Sequence, residues 1–189
     1  LDCVACFTEW LMKFYYTGAK TAGGEQTDPL ASIGGYVSNT EVPEAQLGNI
    51  FGAPSKLIDT DLRIIAITNN DTTAYTGITC AINNVPANLT ELLVAFAPMR
   101  TDAFSQPVAP KPNITNIYQS VTLPIPDMPP GSSLALFIKR NVKYPVPGKT
   151  AQELLDIESG ILTEPLEEVL QLTFNYTVTP PAGEGGGTT

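Results

Sequence analysis

Between Asp61 and Asn70 the chain reads Asp-Leu-Arg-Ile-Ile-Ala-Ile-Thr-Asn-Asn, with three isoleucines and a leucine inside six residues. β-Branched side chains crowd a helix and suit a pleated strand, so this run predicts a central strand covered on both faces. Asn69-Asn70-Asp71-Thr72 is a turn signal. Beyond it the pattern resumes, with Ile78, Cys80 and Ile82 on one face and Gly77, Thr79 and Ala81 on the other. The spacing predicts a hairpin that seeds a sheet.

Punctuation along the rest of the chain points the same way. Only 15% of residues are charged, against about a quarter in an ordinary soluble domain, while 17 prolines and 15 glycines interrupt the apolar runs. Short strands joined by structured turns follow from that balance. A length of 189 residues suits one well-buried core with extensions. The expected fold is all-β: a single immunoglobulin-like or jelly-roll-type antiparallel β-sandwich over 12–179, with an apolar N-terminal arm over 1–11, one short helix, and a flexible Gly-rich tail over 180–189.

Several segments carry specific expectations. Gly34-Gly35 suggests a bulge or a close backbone approach; as a phosphate loop it lacks the following lysine and the strand-to-helix context. Glu44 to Phe51 reads as a helical turn that drops Leu47, Ile50 and Phe51 onto the core. Leu92, Val94 and Phe96 share one strand face. Residues 98–117 hold Pro107, Pro110 and Pro112 without periodicity and read as a long extended loop, where function often sits. Val121 to Pro126 reads as an edge strand because Pro124 lacks an amide donor. Met128 to Ser133 is a turn feeding the strand Leu134 to Val142, in which Arg140 interrupts the apolar face where it can reach water or a carboxylate. Thr150 to Glu158 is the one helix, with Thr150 and Glu153 as a capping box. From Leu170 to Val178 apolar residues alternate inward with Gln171, Thr173, Asn175 and Thr177 outward.

The same residues narrow the chemistry. A net charge of −9 repels phosphate backbones, so nucleic acid is not an expected partner. The absence of histidine removes the commonest general base and transition-metal ligand. Cys3 and Cys6 have the spacing of a redox pair or half a zinc site, but no second pair completes four ligands, and they read as apolar residues of the arm or a local disulfide. Cys80 reads as core. Asp59 and Asp61 near Asp71 would allow a calcium site built from strand ends, although Asp and Asn beside strands more often form turns. The carboxylates of the helix read as a solvated face rather than a glycosidase pair. No membrane partner is expected, since no apolar run is long enough to span a bilayer, and without histidine or a completed ligand set no cofactor or metal is expected either. The arm carries Asp2 and lacks the basic start of a signal peptide. Sequons occur at Asn70, Asn88, Asn113 and Asn175.

Aromatic residues near the N-terminus need a surface to cover them. Phe7, Trp10, Leu11, Phe14, Tyr15 and Tyr16 are therefore the candidate contacts, either with the chain's own sandwich or with a neighbouring subunit onto which the arm is laid as an extra strand.

Three pieces in order carry a resemblance. They are Lys13-Phe-Tyr-Tyr-Thr-Gly-Ala followed by Gln26 to Ser38, Asn49-Ile-Phe followed by Leu62 to Asn69, and Pro130-Gly-Ser-Ser-Leu-Ala-Leu-Phe-Ile-Lys-Arg140. Over residues 12–142 this arrangement resembles a family of small structural proteins of tailed-bacteriophage virions with an immunoglobulin-like β core. The arm before Met12 and the acidic helix depart from the pattern. The resemblance implies a non-enzymatic component of a virus particle, a capsid decoration or cement protein or a head-tail accessory protein, located in the virion and partnered by its own copies and other capsid or tail proteins. The alternatives are a subunit of an extracellular or cell-surface filament assembled by strand addition, and an enzyme or carbohydrate-binding module, for which the serines and threonines lack a histidine partner.

Overall fold

Strand pairing in the computed structural model is entirely antiparallel and divides into two sheets. The structure describes residues 12–51, 60–83, 90–111, 122–142 and 171–179, together with Thr150 and Gln152. The strands are β1 (Met12–Ala19), β2 (Gly35–Glu41), β3 (Thr60–Asn69), β4 (Ala74–Asn83), β5 (Thr90–Pro98), β6 (Arg100–Thr101), β7 (Pro107–Ala109), β8 (Leu123–Pro124), β9 (Ser133–Val142) and β10 (Gln171–Thr179). One sheet has seven strands in the order β5-β9-β3-β1-β2-β7-β6, and the other three in the order β10-β4-β8. The arm 1–11, the predicted helix beyond Gln152 and the tail 180–189 lie outside the described residues.

β3 occupies the centre of the larger sheet, as its isoleucines predict. Ile64, Ile65, Ala66 and Ile67 are all fully buried, so both faces of the strand are covered. Ile65 and Ile67 join Phe14, Leu92, Val94, Leu136 and Ile138 on the face that meets the smaller sheet, which contributes Tyr75, Ile78, Cys80, Leu172 and Phe174. Each such aliphatic or aromatic side chain stabilises the fold by about 1.5–3 kcal/mol when fully buried. The rings of Phe14 and Phe174 meet at 4.9 Å and join the two sheets directly. A 3-10 turn at Glu44–Asn49 closes one side, and Leu47, Ile50 and Phe51 are buried there as their spacing predicts.

The other face of β3 is covered because the large sheet curls. Ile64 packs with Ala95, Ala109, Ala135 and Phe137, bringing β7 against β9 although three strands separate them in the sheet order. The bend is made where β1 meets β2. The β1–β2 register shifts twice between Tyr15 and Ala19, and Gly34 and Gly35 have φ of +99° and +102°. A Cβ on Gly34 would sit 3.1 Å from the Pro110 carbonyl oxygen and 3.3 Å from Ile64 Cδ1, which is the close approach its sequence suggests. Two buried hydroxyls take over where β1 leaves β3. Thr17 and Ser32 donate to the Ile64 carbonyl at 2.6 and 2.7 Å, and the Ser32 carbonyl accepts the Ile64 amide at 2.7 Å. The Ile64 amide and carbonyl, on the β1 side beyond the last β1 pair, are thereby satisfied without a strand partner there.

Two expectations need correction. β3 and β4 do not form a hairpin; they belong to different sheets. Both edges of β3 are occupied, by β1 and β9, and the chain turns a corner at the fully buried Asn69. The Asn69 side-chain amide donates to the carbonyls of Thr73 and Met128 at 2.8 and 2.9 Å while its oxygen accepts the Asp71 amide at 2.9 Å. β4 pairs with β10 instead, around a bulge at Gly77. The expected loop over 98–117 contains a small hairpin, β6–β7, within its described part. Asp102 accepts the amides of Phe104 and Gln106 at 2.8 and 2.9 Å, so a side chain supplies the turn that the prolines seem to forbid.

The edge strand before the Met128 turn shortens to β8, which pairs with Thr79 and Cys80. In β10 Leu172 and Phe174 are buried and Tyr176 half-buried, but the inward pattern ends there, since Val178 is 40% exposed.

Candidate functional site

A groove of about 570 Å³ opens along the seam between the sheets, where the start of β1 and the end of β2 face β10. Met12, Phe14, Val42 and Pro43 form an apolar wall; Lys13, Glu41, Glu44, Gln171 and Thr173 supply the polar rim. Lys13 and Glu41 pair at 3.0 Å with both side chains substantially exposed, a contact that contributes little beyond orientation. Glu44 does more. Placed on the 3-10 turn, its Oε1 accepts the backbone amide of Phe174 at 3.0 Å. Burial pushes the Glu44 carboxyl up from its ordinary value, and the Phe174 amide pulls it partly back.

That hydrogen bond identifies the outer edge of β10. Neighbouring residues of a strand direct their amides to opposite sides, so Leu172 and Tyr176 point their backbone groups the same way as Phe174, away from β4. Among the described residues no strand pairs with this edge.

A second polar cluster lies at the far end of β3. Asp61 and Arg140 are direct cross-strand partners, and Arg140 Nη2 donates to Asp61 Oδ2. Arg63 Nη2 lies 4.0 Å from the same carboxylate, and Arg63 Nη1 donates to the Leu62 carbonyl at 2.7 Å. Both guanidiniums lie over the Phe51 ring, at 5.4 Å for Arg63 and 4.9 Å for Arg140. Burial pushes the Arg63 guanidinium down, opposed by Asp61 and reinforced by Arg140. Ion pairing and cation–π contact on directly paired strands make this a structural clamp at one end of the core. The sequence placed Arg140 where it can reach water or a carboxylate, and in the structure it donates to Asp61.

No family model, curated protein or solved structure matches this chain.

Of the candidate contact residues, Phe14 and Tyr16 face the chain's own core, 3% and 8% exposed, and are closed to a neighbour. The inward period of β1 decides this, because Met12, Phe14 and Tyr16 share one face. Tyr15 lies half-buried on the other face, where its hydroxyl accepts from Asn70 Nδ2 at 3.0 Å. Phe7, Trp10 and Leu11 lie outside the described residues. Asp61 and Asp71 stand at opposite ends of β3, about 30 Å apart for a strand of that length, and cannot share a calcium ion. Asp71 accepts from Thr73 Oγ1 at 2.7 Å and from the Thr72 amide at 2.6 Å. Asp59 lies outside the described residues. Cys80 is fully buried, its thiol pushed up to about 12 by burial and, less, by Glu44. Asn70 and Asn175 are exposed; Asn88 and Asn113 are outside the described residues.

The sequence marks Glu44 only by its place in a helical turn. Its partner is 130 residues away, and nothing local marks a glutamate that caps a strand edge.

Proposed function

We propose that this chain is a non-enzymatic structural component that works by assembling with further copies of itself and with other proteins of a virus particle, as a capsid decoration or cement protein or a head-tail accessory protein. The observation that supports assembly is the outer edge of β10 beside an apolar groove, carried on a tightly packed two-sheet core. Among the described residues no strand pairs with that edge, which the Glu44–Asn49 turn lines through Glu44, and a strand edge of a rigid domain can receive another chain at little entropic cost. The virion setting is supported by the three sequence pieces over 12–142. The net charge of −9 favours protein partners over nucleic acid.

A filament subunit built by strand addition is the second reading, and the same β10 edge favours it. Light scattering together with electron microscopy on the concentrated chain tests both. Closed rings or clusters of defined mass support the particle component, and open fibres support the filament. A chain that stays monomeric at the highest soluble concentration, and that binds no capsid or tail protein presented to it, overturns both.

A further inference from the structure

We infer that copies of this chain meet through the outer edge of β5, which takes β5 of a second copy in an antiparallel pairing about a two-fold axis. The inference rests on the assembly reading above and names the contact between copies.

Among the described residues four strands end the two sheets, β5 and β6 in the larger and β10 and β8 in the smaller. An edge strand invites another strand unless it is short, carries charge or proline, or is covered. β6 is two residues long, both exposed, and includes Arg100. β8 is equally short and includes Pro124, which has no amide to donate. β10 is lined by the Glu44–Asn49 turn, whose Glu44 holds the Phe174 amide. β5 has none of these guards. It runs nine residues and pairs with β9 from Thr90 to Pro98 without a register shift, so no bulge bends it away. Among the described residues β9 alone makes extensive contact with it, and no backbone hydrogen bond from a turn or loop reaches it. Its interior, Leu92 to Ala97, is apolar throughout, and Glu91 is the one charge in the strand.

A second copy fits this edge because β5 complements itself. With the two-fold axis at Val94, Leu92 of each copy would lie opposite Phe96 of the other, and Leu93 opposite Ala95. Leu92 and Val94 belong to the main core and Phe96 packs against it, so the row of apolar side chains would run from one core into the next. Charge sets the direction. The antiparallel arrangement places Glu91 opposite Ala97 and about 20 Å from its counterpart, whereas parallel pairing in register would set the two carboxylates side by side. Each copy brings one such edge and the pairing uses both, so association closes at two copies instead of extending into a fibre.

Amide hydrogen exchange on the full chain tests this, read from Leu92 to Ala97 across a roughly hundredfold concentration range with mass followed by light scattering. Alternate amides of β5 point away from β9. These should slow about tenfold or more as the mass moves from one copy to two, while the amides bonded to β9 are protected throughout. Leu93→Glu is the comparison variant. Leu93 is half-buried and lies directly opposite Lys139 on β9, so the new carboxylate is matched within its own sheet, while across the axis the two carboxylates become diagonal neighbours and repel. Circular dichroism checks that its strands are intact. It should stay monomeric with the outward amides exchanging rapidly, and Val178→Glu, which adds the same charge at an exposed position of the other sheet, should pair as the native chain does.

Protection of the outward β5 amides that does not depend on concentration would mean that the chain covers this edge itself, and would overturn the inference. Assembly with those amides still exchanging rapidly would move the contact to another face, refuting this inference and leaving the assembly reading intact. Growth without limit beyond two copies would refute the closed two-fold pairing. A chain that stays monomeric at every concentration would also refute the inference, and the assembly reading would then stand or fall on binding to capsid and tail proteins.

Discussion

Glu44 and Phe174 meet at 3.0 Å, carboxylate to backbone amide, where the 3-10 turn packs against β10. A half-buried carboxylate is a costly way to satisfy an amide, since burial disfavours its charge. Glu44→Gln keeps an oxygen acceptor without the charge, whereas Glu44→Ala removes the acceptor. Urea unfolding at neutral pH should show Glu44→Ala destabilised by about 1 kcal/mol and Glu44→Gln within about 0.5 kcal/mol of the native protein. The folded-state pKa of Glu44 is raised, so folding takes up a proton, and its contribution to stability is fullest below the unfolded value and is lost as pH rises through the folded one. The native protein should therefore gain stability relative to Glu44→Gln as pH falls toward 4.5. A difference between the two that does not change with pH would contradict this environment for Glu44.

Asp61 is the carboxylate between two buried guanidiniums. Asp61→Asn leaves Arg63 and Arg140 facing each other over Phe51 and should destabilise the protein by about 3 kcal/mol. Combining Asp61→Leu with Arg140→Met should cost less than Asp61→Leu alone, because it also removes a buried charge that has lost its Asp61 carboxylate. Denaturant melts of Asp61→Asn, Asp61→Leu, Arg140→Met and the double variant decide it. A double variant as unstable as the sum of its parts would mean that Asp61 and Arg140 act independently.

Tyr75 is fully buried, meets the Tyr176 ring at 4.7 Å in a tilted arrangement, and among the described residues its hydroxyl has no hydrogen-bond partner. Burial pushes that hydroxyl far above its ordinary range. Removing it should be neutral or stabilising by up to about 1 kcal/mol in Tyr75→Phe, measured by thermal or urea unfolding. A clear loss of stability would reveal a partner for the hydroxyl.

Gly34 and Gly131 both have positive φ, but only Gly34 is enclosed. Gly34→Ala combines backbone strain with contacts at the Pro110 carbonyl and Ile64, and should cost about 2 kcal/mol or more. Gly131 has open space where a Cβ would point, and Gly131→Asn should cost well under about 1 kcal/mol because Asn tolerates the left-handed region. Equal effects at the two sites would remove close packing as the reason for Gly34.

Cys80 should be inert. With its thiol pushed up to about 12 and no exposure, it should resist alkylation at pH 8 in the native state and react on unfolding. Mass-spectrometric mapping of labelled cysteines separates it from Cys3 and Cys6.

What was legible in the residues is what depends on period. Burial on both faces of β3, the inward faces of β5 and β10, the Leu47-Ile50-Phe51 wedge and the all-β class all follow from where apolar side chains recur along a local backbone. The close approach at Gly34 was legible for a similar reason, since few other residues fit such a backbone.

The sequence by itself thus determined the long strands and most of their inward faces, because a side chain's direction depends on a few consecutive dihedrals; it determined neither the β6–β7 hairpin nor the outward turn of Val178. Tertiary structure alone decided which strands pair. Asn69-Asn70-Asp71 reads as the same turn whether it closes a hairpin or carries the chain to another sheet, and it does the latter because β1 and β9 already hold both edges of β3. Thr17, Ser32 and Glu44 became important in the same way, as side chains that satisfy backbone groups where no strand among the described residues pairs. Which groups those are depends on long-range pairing, and no local period records it.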